Sequence, residues 1–318
     1  MKSKVKVVVI GHGYLGRWHT QKVVQSNFAE LVAIVDSSAT TREEVGKLYP
    51  NVKVFTALED ALPFVDAAII VTPTSGHYEC IQKILAAKKH ILCEKPLCAT
   101  EAEAIAIQKI IANEKELILQ VGHSERFSQA WELLREHPLL SKIANAKGGE
   151  IYLNRLAPFK ARALDVDVIQ DLMIHDIDLI QFLRKESLQE LCELTARGFH
   201  VVSNTFDVVH ASALLPSSET KVHLRAARNY VRSDRSVEII NDQGTILVNL
   251  AENEITFVDN LAQEGAAQRV SFEKRDHLAL EQEAFYNSIL KGTSIAVTFE
   301  EGINAVKVAQ QILQKISK

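Results

Sequence analysis

The sequence is poor in cysteine and lacks a long hydrophobic run. Only four of its 318 residues are cysteines, and no two of them form a C-x-x-C pair. This argues against a disulfide framework and predicts structural thiols in a reducing, cytoplasmic compartment. The apolar stretch Val7–Ile10 is shorter than the roughly 7 to 15 residues of a signal-peptide core. No later stretch approaches the roughly 20 apolar residues of a membrane span, so we expect no membrane partner.

An excess of positive charge is also missing. Lysine and arginine number 36 against 40 for aspartate and glutamate, which leaves a net charge of −4 at pH 7. This balance argues against a nucleic-acid partner. The length suffices for two domains of about 150 residues each. The pattern changes after Gly122, which predicts domains at 1–123 and 124–318, with the terminal helix able to return to the first.

The first part of the chain alternates short apolar runs with segments of helical spacing. The runs lack period-two alternation, as strands do when a parallel sheet is covered on both faces. The predicted strands are Val5–Ile10, Leu31–Asp36, Val52–Phe55, Ala67–Val71, His90–Cys93 and Leu117–Val121. The predicted helices are Tyr14–Gln25, Thr41–Leu48, His77–Ala87 and Ala102–Asn113. This order predicts an α/β fold with a doubly wound parallel sheet of Rossmann type.

The second part contains consecutive strand-like runs, which indicate an α+β domain with an open, mostly antiparallel sheet. The predicted strands are Ile151–Leu153, Leu194–Val202, Val208–Leu215, Lys221–Ala227, Val237–Ile240, Thr245–Leu250 and Ile255–Val258. The predicted helices are Glu125–His137, Val166–Leu183, Leu278–Leu290 and Phe299–Lys315. We expect this domain to bind the substrate.

A glycine-rich turn joins the first strand to the first helix. Its pattern, G-x-G-x-x-G, permits a tight turn, close approach of a pyrophosphate and close helix–strand packing. The residues predicted to bind the dinucleotide here are Gly11, His12, Gly13, Tyr14, Leu15 and Gly16. Asp36, at the end of the next strand, suits the ribose hydroxyls and would repel a 2′-phosphate, which favours NAD over NADP. The alternative is an ordinary turn with a helix-capping aspartate.

Further candidates follow the ends of later strands, where open α/β sheets bind their ligands. Glu94 and Lys95 precede a proline that makes the chain leave the sheet, so an ammonium group there would meet the reactive end of the cofactor. Thr72 and Pro73 end another strand and could line the nicotinamide side. His77 either faces the nicotinamide or simply begins the next helix.

A polar stripe crosses the apolar helix predicted near residue 175. Asp171, His175 and Asp178 share one helical face by their i+4 and i+3 spacing. Such groups need partners or a ligand when the other faces of the helix are buried. One alternative is a core histidine satisfied by a carboxylate. A metal site lacks a recognisable zinc signature, so we predict no metal.

Three motifs together resemble one enzyme family. The glycine turn, the segment Cys93–Pro96 and the segment Asp171–Asp178 are similar to the Gfo/Idh/MocA oxidoreductases. The resemblance implies that Lys95, Asp171 and His175 flank the nicotinamide and the substrate. It also implies a homo-oligomer, a dimer or tetramer, formed through the C-terminal sheet.

A subgroup resemblance is visible as well. The segment Val121–Phe127, with Ala161-Arg162 and the segment Asp165–Asp167, is similar to UDP-N-acetylglucosamine 3-dehydrogenases, although Ser128-Gln129 departs from their usual Asn-Pro. The resemblance implies NAD-dependent transfer of hydride from a secondary sugar hydroxyl, such as C3 of a UDP-linked acetamido sugar. The alternatives are an inositol, free-sugar or biliverdin-reductase-like enzyme, and a non-catalytic NAD-sensing regulator.

Roles for individual residues follow from the chemistry. His175 is the candidate general base, because an imidazole titrates near working pH. Lys95 would hold the hydroxyl oxygen and stabilise its developing charge, although a lysine base is also possible. Asp171 could orient the imidazole or bind a neighbouring hydroxyl. Arg126 and Arg155 could contact a substrate diphosphate or form structural ion pairs.

Overall fold

The structure, a computed structural model, describes residues 4–159, 166–186, 188, 191–260 and 266–316. The chain divides into two compact units. Unit 1 comprises Met1–Ser124 and Asp276–Val306, and unit 2 comprises Glu125–Arg275 and Lys307–Lys318. Residues 276–306 therefore join the first unit, whereas we predicted a second domain running from residue 124 to the end with only a terminal helix returning.

Regular elements fill most of the described chain. The strands are β1 Val5–Ile10, β2 Ala29–Val35, β3 Lys53–Phe55, β4 Ala67–Ile70, β5 His90–Glu94, β6 Leu119–Gly122, β7 Glu150–Leu156, β8 Cys192–Phe199, β9 Val208–Leu215, β10 Thr220–Ala227, β11 Asp234–Asn241, β12 Gly244–Asn249, β13 Glu254–Asp259 and β14 Gln268–Ser271. The helices are α1 Tyr14–Gln25, α2 Ala39–Leu48, α3 His77–Ala86, α4 Glu101–Ile111, α5 Gln129–Glu136, α6 Pro138–Ala144, α7 Ile174–Arg184, α8 His277–Lys291 and α9 Phe299–Ile316. Short 3₁₀ turns lie at Leu62–Phe64, Thr74–Gly76 and Ser124–Phe127, and a π-helical turn at Ile169–Met173 leads into α7.

Unit 1 contains a parallel sheet with the strand order β3-β2-β1-β4-β5-β6. Val7, Val8 and Val9 of β1 are all fully buried, although neighbouring residues point to opposite faces of a strand. Both faces of the sheet are therefore covered, as the unbroken apolar runs predicted. The doubly wound Rossmann fold is confirmed.

The segment 276–306 completes the core of unit 1. Helix α8 packs against α1, β1 and β5, and its Phe285 and Tyr286 are fully buried beside Val7 and Leu92. The N–H of Val121 in β6 donates to a carbonyl oxygen of this segment, that of Val297, at 3.0 Å. Aromatic burial thus accounts for the return of this segment to the first sheet.

Unit 2 contains a sheet with the order β14-β13-β12-β11-β7-β10-β9-β8. Strands β7 and β10 pair in parallel, and the other neighbours pair antiparallel. This confirms the predicted mostly antiparallel sheet with helices. The alternation of buried and half-exposed residues along β7 and β13 fits a sheet with one covered face.

The structure differs from the predicted elements of unit 2 in helices α5 and α6 and in strand β14. The predicted helix 125–137 begins only at Gln129, because Ser128 caps it by accepting the N–H of Ala130 at 3.4 Å. Helix α6 follows at once, with Pro138 in its first turn, where a missing N–H costs nothing. Strand β14 was not predicted, because its exposed polar residues carry no apolar signal.

The cysteines and the helices of the described chain relate to two expectations from composition. All four cysteines are free thiols, and Cys93 and Cys98 are buried. Among the helices that the structure describes, none combines the length and apolar character needed to cross a membrane.

Candidate active site

The glycine turn after β1 is built by three glycines with different surroundings. Gly11 has φ +88°, and a Cβ there would lie 2.8 Å from the carbonyl oxygen of Val71. A Cβ on Gly16 would overlap the carbonyl oxygen of Gly11, so both positions exclude side chains. Gly13 has nothing within 4 Å of an added Cβ. Backbone atoms therefore fill the space beside Gly11 and Gly16, whereas the space beside Gly13 is empty, which suits a pyrophosphate at the start of α1.

Asp36 follows β2 and faces the same turn. Its Oδ2 accepts the N–H of His12 at 2.7 Å, and its Oδ1 accepts the N–H of Ser38 at 2.8 Å. A carboxylate offers about four acceptor positions, so capacity remains for two ribose hydroxyls. The guanidinium of Arg42 donates to the carbonyl oxygens of Asp36 and Ser37, at 2.8 Å each, and fixes the loop. These residues fit the adenosine half of NAD.

An open groove of about 760 Å³ runs along this edge of unit 1. The predicted cofactor residues that line it are Gly11, Gly13, Leu15, Asp36, Thr72, Pro73, His77, Glu94 and Lys95. Three predicted contacts do not line it. The His12 ring is buried against Tyr49, with ring centroids 6.4 Å apart, Tyr14 is largely exposed, and Gly16 packs within the turn. The groove also includes Ser37 and Thr41, which the sequence analysis did not single out.

His77 connects two of the loops at the groove. It begins α3 and is buried, with Nε2 at 2.9 Å from the carbonyl oxygen of Thr72 and Nδ1 at 2.9 Å from that of Pro96. Burial lowers its pKa, while the two carbonyl contacts oppose that change. His77 therefore begins the helix and also lines the groove, and its position beside the nicotinamide stays a prediction.

Lys95 leaves the end of β5 half-buried, and the Lys95–Pro96 peptide bond is cis. Its backbone N–H donates to Glu94 Oε2 at 3.1 Å. The other oxygen of Glu94, Oε1, lies 2.9 Å from His19 Nε2 of α1. Burial opposes ionisation of Glu94, but the contacts with His19 and Lys95 lower its pKa overall. Glu94 thus borders the groove while its carboxylate is engaged behind Lys95.

Asp171 and His175 lie in unit 2, on the π turn and on α7 respectively, and both are half-buried. The segment starts at Asp167, whose Oδ1 accepts the N–H of Ile169 at 2.9 Å and that of Gln170 at 3.0 Å. A π turn is wider than an α turn and is frequent at functional sites. The predicted helix is therefore present, with a first turn that the sequence pattern did not reveal.

Asp178, the third residue of the predicted polar stripe, is more deeply buried than Asp171 and His175. It is fully buried and holds Arg126 by two contacts, Nε–Oδ2 at 2.8 Å and Nη2–Oδ1 at 2.5 Å. The Arg126 guanidinium also lies 5.3 Å from the ring centroid of Phe182. Of the two roles that the sequence left open for Arg126, this geometry favours the structural ion pair.

Arg155 is likewise engaged inside unit 2. Its Nε and Nη2 lie 3.1 and 2.7 Å from Asp176 Oδ1, and its Nη2 lies 3.5 Å from Glu125. Arg235 contacts both oxygens of Glu125 at 2.6 Å. Burial raises the pKa of Asp176, while the Arg155 charge opposes that change. The structural ion pair is again favoured over a diphosphate contact.

Sequence reasoning missed two buried residues of α8. Glu281 and Gln282 of α8 are buried next to His19, although only their position on an amphipathic helix could have marked them. Ala161, Arg162 and Asp165 from the subgroup motif lie outside the described residues.

Comparison with known proteins covers nearly the whole chain. A family model described as an oxidoreductase family with an NAD-binding Rossmann fold (Gfo/Idh/MocA) matches residues 5–123. UDP-N-acetylglucosamine 3-dehydrogenase from Acidithiobacillus ferrooxidans is 32% identical over 318 aligned residues, which cover 96% of this chain and 94% of the relative. Its solved structure gives a TM-score of 0.87 at 30% identity and covers 99% of this chain and 98% of that chain.

Inositol dehydrogenases are also similar. Inositol 2-dehydrogenase from Rhizobium meliloti is 25% identical over 334 aligned residues, covering 99% of this chain and 97% of the relative. Scyllo-inositol dehydrogenase from Lactobacillus casei, solved with NAD(H) and scyllo-inositol, gives a TM-score of 0.80 at 22% identity and covers 99% of this chain and 97% of that chain. At that identity the likeness shows the fold alone.

Proposed function

Because this chain belongs to the Gfo/Idh/MocA family of NAD-binding oxidoreductases, we propose that it oxidises a secondary hydroxyl of a UDP-linked acetamido sugar. The proposed substrate is UDP-N-acetylglucosamine and the proposed position is C3. The observation that carries the proposal is the groove of unit 1, in which Asp36 and Lys95 line the same cavity. The similarity of the whole chain to a UDP-N-acetylglucosamine 3-dehydrogenase supports the choice of sugar.

The roles of the site residues are part of the proposal. When bound, NAD supplies the hydride acceptor. Gly11, Gly13 and Asp36 would hold its phosphates and adenosine ribose, as their geometry allows. We propose that the Lys95 ammonium holds the substrate oxygen and stabilises its developing negative charge. His175 would accept the hydroxyl proton, and Asp171 would orient the imidazole or bind a neighbouring hydroxyl.

The substrate proposal is tested by following NADH absorbance with UDP-N-acetylglucosamine, free sugars and inositols in parallel. We expect turnover with the nucleotide sugar and little with the others. Turnover with an inositol alone would instead establish the second candidate, which the full-length similarity to an inositol 2-dehydrogenase favours. Binding of NAD without hydride transfer to any of these compounds would favour a cofactor-sensing regulator.

The catalytic roles are tested by Lys95→Ala and His175→Ala. Each should lower kcat by about 10²–10⁴-fold, the usual contribution of a positioned acid–base or electrostatic group. Lys115→Ala and His200→Ala remove the same side-chain types from exposed positions and should leave kcat unchanged. Near-normal turnover in both site variants would refute the assignment.

The proposal also covers the cellular location and the assembly of the protein. The four free thiols support a reducing cytoplasmic location. The outer face of the unit 2 sheet presents Tyr152 stacked on His223, with ring centroids 4.4 Å apart, and a half-exposed Leu247. We propose that two or four copies associate through this face. Light scattering of the purified protein measures the assembly, and Leu247→Glu should shift it toward a monomer.

A further inference from the structure

A cluster of three ionisable side chains is buried inside unit 1 behind Lys95. His19 of α1, Glu94 of β5 and Glu281 of α8 are 0%, 7% and 0% exposed. One nitrogen or oxygen atom from each lies within 4.8 Å of the others. Gly122 of β6 lies against this cluster, since a Cβ there would lie 2.9 Å from Glu94 Oε1. The proposed mechanism uses neither His19 nor Glu281.

Hydrogen bonds from α8 locate the proton on His19. Gln282 Nε2 donates to the carbonyl oxygen of His19 at 3.2 Å and lies 3.0 Å from His19 Nδ1. Tyr286 donates its hydroxyl to Gln282 Oε1 at 3.0 Å, which fixes the orientation of the amide. His19 Nδ1 is therefore the acceptor, and Nε2 carries the proton that it donates to Glu94.

The two carboxyl groups of the cluster have unequal partners. Glu94 accepts from His19 Nε2 at 2.9 Å and from the N–H of Lys95 at 3.1 Å. Neither side-chain oxygen of Glu281 has a hydrogen-bond partner among the described residues. Two buried carboxyl groups at this separation cannot both ionise readily, and the one with donors keeps the charge. The missing partners thus place the proton on Glu281.

We propose that only one of the two carboxyl groups ionises: Glu281 is the neutral acid, and Glu94 is the carboxylate that positions Lys95 and keeps its side chain charged. Glu94 is thus a positioning residue, and Glu281 acts through it. The attraction between Glu94 and the Lys95 ammonium stabilises both charged forms. The part concerning Lys95 rests on the proposed function, in which that ammonium holds the substrate oxygen.

The electrostatics agree with this geometry. Burial, reinforced by the negative charge of Glu94, raises the pKa of Glu281 well above its usual value. From the elements packed against α8, Glu94 of β5 and His19 of α1 are the titratable groups that face Glu281, and β1 presents apolar Val7 and Val9. Lys22 of α1 is paired with Asp276 at the start of α8, at 2.6 Å.

The same three residue types could in principle hold a divalent cation, but the histidine is in the wrong form. A metal-bound imidazole almost always donates its other ring N–H to a neighbour. Here Nδ1 accepts a hydrogen bond from the Gln282 amide, so the ring proton is on Nε2, the atom that would have to bind the metal. A proton on Glu281 leaves this arrangement unchanged, whereas a metal ion would require the amide of Gln282 to turn over.

The proton on Glu281 is tested by thermal unfolding of wild type and Glu281→Gln as a function of pH. Stability from a group with a raised pKa is complete below its usual value of 4.5 and is lost as pH rises through the raised value. Glutamine mimics the neutral acid and cannot lose a proton. Between the usual value of 4.5 and the raised value, the unfolding constant of wild type should therefore rise with pH relative to that of the variant, by up to about tenfold per pH unit.

Glu283→Gln is the matched control, because it makes the same change on an exposed position of the same helix. We expect its pH dependence to follow wild type. If the unfolding of wild type and that of Glu281→Gln depend on pH in the same way, Glu281 does not hold the proton and the proposal is wrong. Stoichiometric metal in purified wild type that is absent from Glu281→Gln would overturn it as well.

The effect on Lys95 is measured by the titration of carbon-13 methylated lysines, with Lys95→Arg identifying the resonance. Glu94→Gln keeps the shape of the side chain and removes its charge, so the Lys95 titration should move down by about one pH unit or more. An unchanged titration in a folded variant would overturn the positioning role. These experiments need no substrate, so a wrong substrate assignment would leave their outcome intact.

Discussion

The ion pair between Arg126 and Asp178 supports a prediction about stability that also tests a role in substrate binding. The two side chains are 5% and 0% exposed, and two contacts join them. Removing one partner of such a buried pair costs about 3–5 kcal/mol, because the other charge stays buried without compensation. We therefore expect Asp178→Ala to lower the free energy of unfolding by about that amount.

The size of the effect sets the assay. For a protein of roughly 150–250 residues, 1 kcal/mol moves Tm by about 2–4 °C, so Asp178→Ala should lower the Tm of unit 2 by roughly 6–20 °C. Scanning calorimetry measures this change. Glu43→Ala is the control, since it breaks a pair with Lys47 whose side chains are 70% and 74% exposed. Exposed pairs contribute at most about 1 kcal/mol.

The double variant Arg126→Met/Asp178→Leu separates stability from binding. Apolar residues of similar size often replace a buried pair without loss, so the double variant should be more stable than Asp178→Ala. If Arg126 is structural, the KM for the nucleotide sugar should stay close to the wild-type value. A single variant no less stable than Glu43→Ala would refute the burial argument. A KM raised about tenfold or more in a stable double variant would show that Arg126 contacts the substrate.

Three further predictions concern single positions. Asp36→Ser should improve kcat/KM for NADP relative to NAD by about tenfold, as measured with both cofactors, because a charge that repels the 2′-phosphate is removed. Gly13→Ala should fold normally yet weaken NAD binding in calorimetric titration, whereas Gly16→Ala should also disrupt folding because its Cβ meets the Gly11 carbonyl. Hydrogen bonds from Val201–Ser203 hold the pKa of Asp207 below its usual 3.8 despite desolvation, so the stability advantage of wild type over Asp207→Asn should fade as pH falls below that value.

The predictable part of this fold is local in sequence. Strands β1, β4 and β5 follow from short apolar runs, and the glycine turn follows from residues within one hexapeptide. The π turn before α7 has no such signal, because its residues fit an α-helical pattern equally well. The return of Asp276–Val306 to unit 1 depends on aromatic burial against strands far away in the chain.

The same limit applies to the candidate site. Groove residues such as Asp36 and Lys95 were predictable because the ends of parallel strands meet at one edge of a sheet. The partners of buried charges were not, since Arg126 and Asp178 lie 52 residues apart and His19 and Gln282 lie 263 apart. Sequence patterns identify charged residues but give no partner at such separations.

The buried carboxyl groups of the two units have different partners, and this difference affects how the stability of the protein depends on pH. In unit 2 the buried carboxylates of Asp176 and Asp178 face arginines, which stay charged throughout the working range. In unit 1, Glu281 has no such cation, and a proton takes its place. Raising the pH from the usual 4.5 of a glutamate toward the raised value should therefore lower the unfolding transition of unit 1 in wild type relative to Glu281→Gln, whereas the transition of unit 2 should be the same in both proteins.

Calorimetry over this range should show the unit 1 transition of wild type falling below that of Glu281→Gln, or a single transition that broadens toward lower temperature in wild type alone. The thiols of unit 1 do not interfere, because burial raises the pKa of Cys93 above its usual 9.0 and that of Cys80 to about 11. If the unit 1 transition responds to pH alike in wild type and Glu281→Gln, the assignment of a proton to Glu281 is wrong.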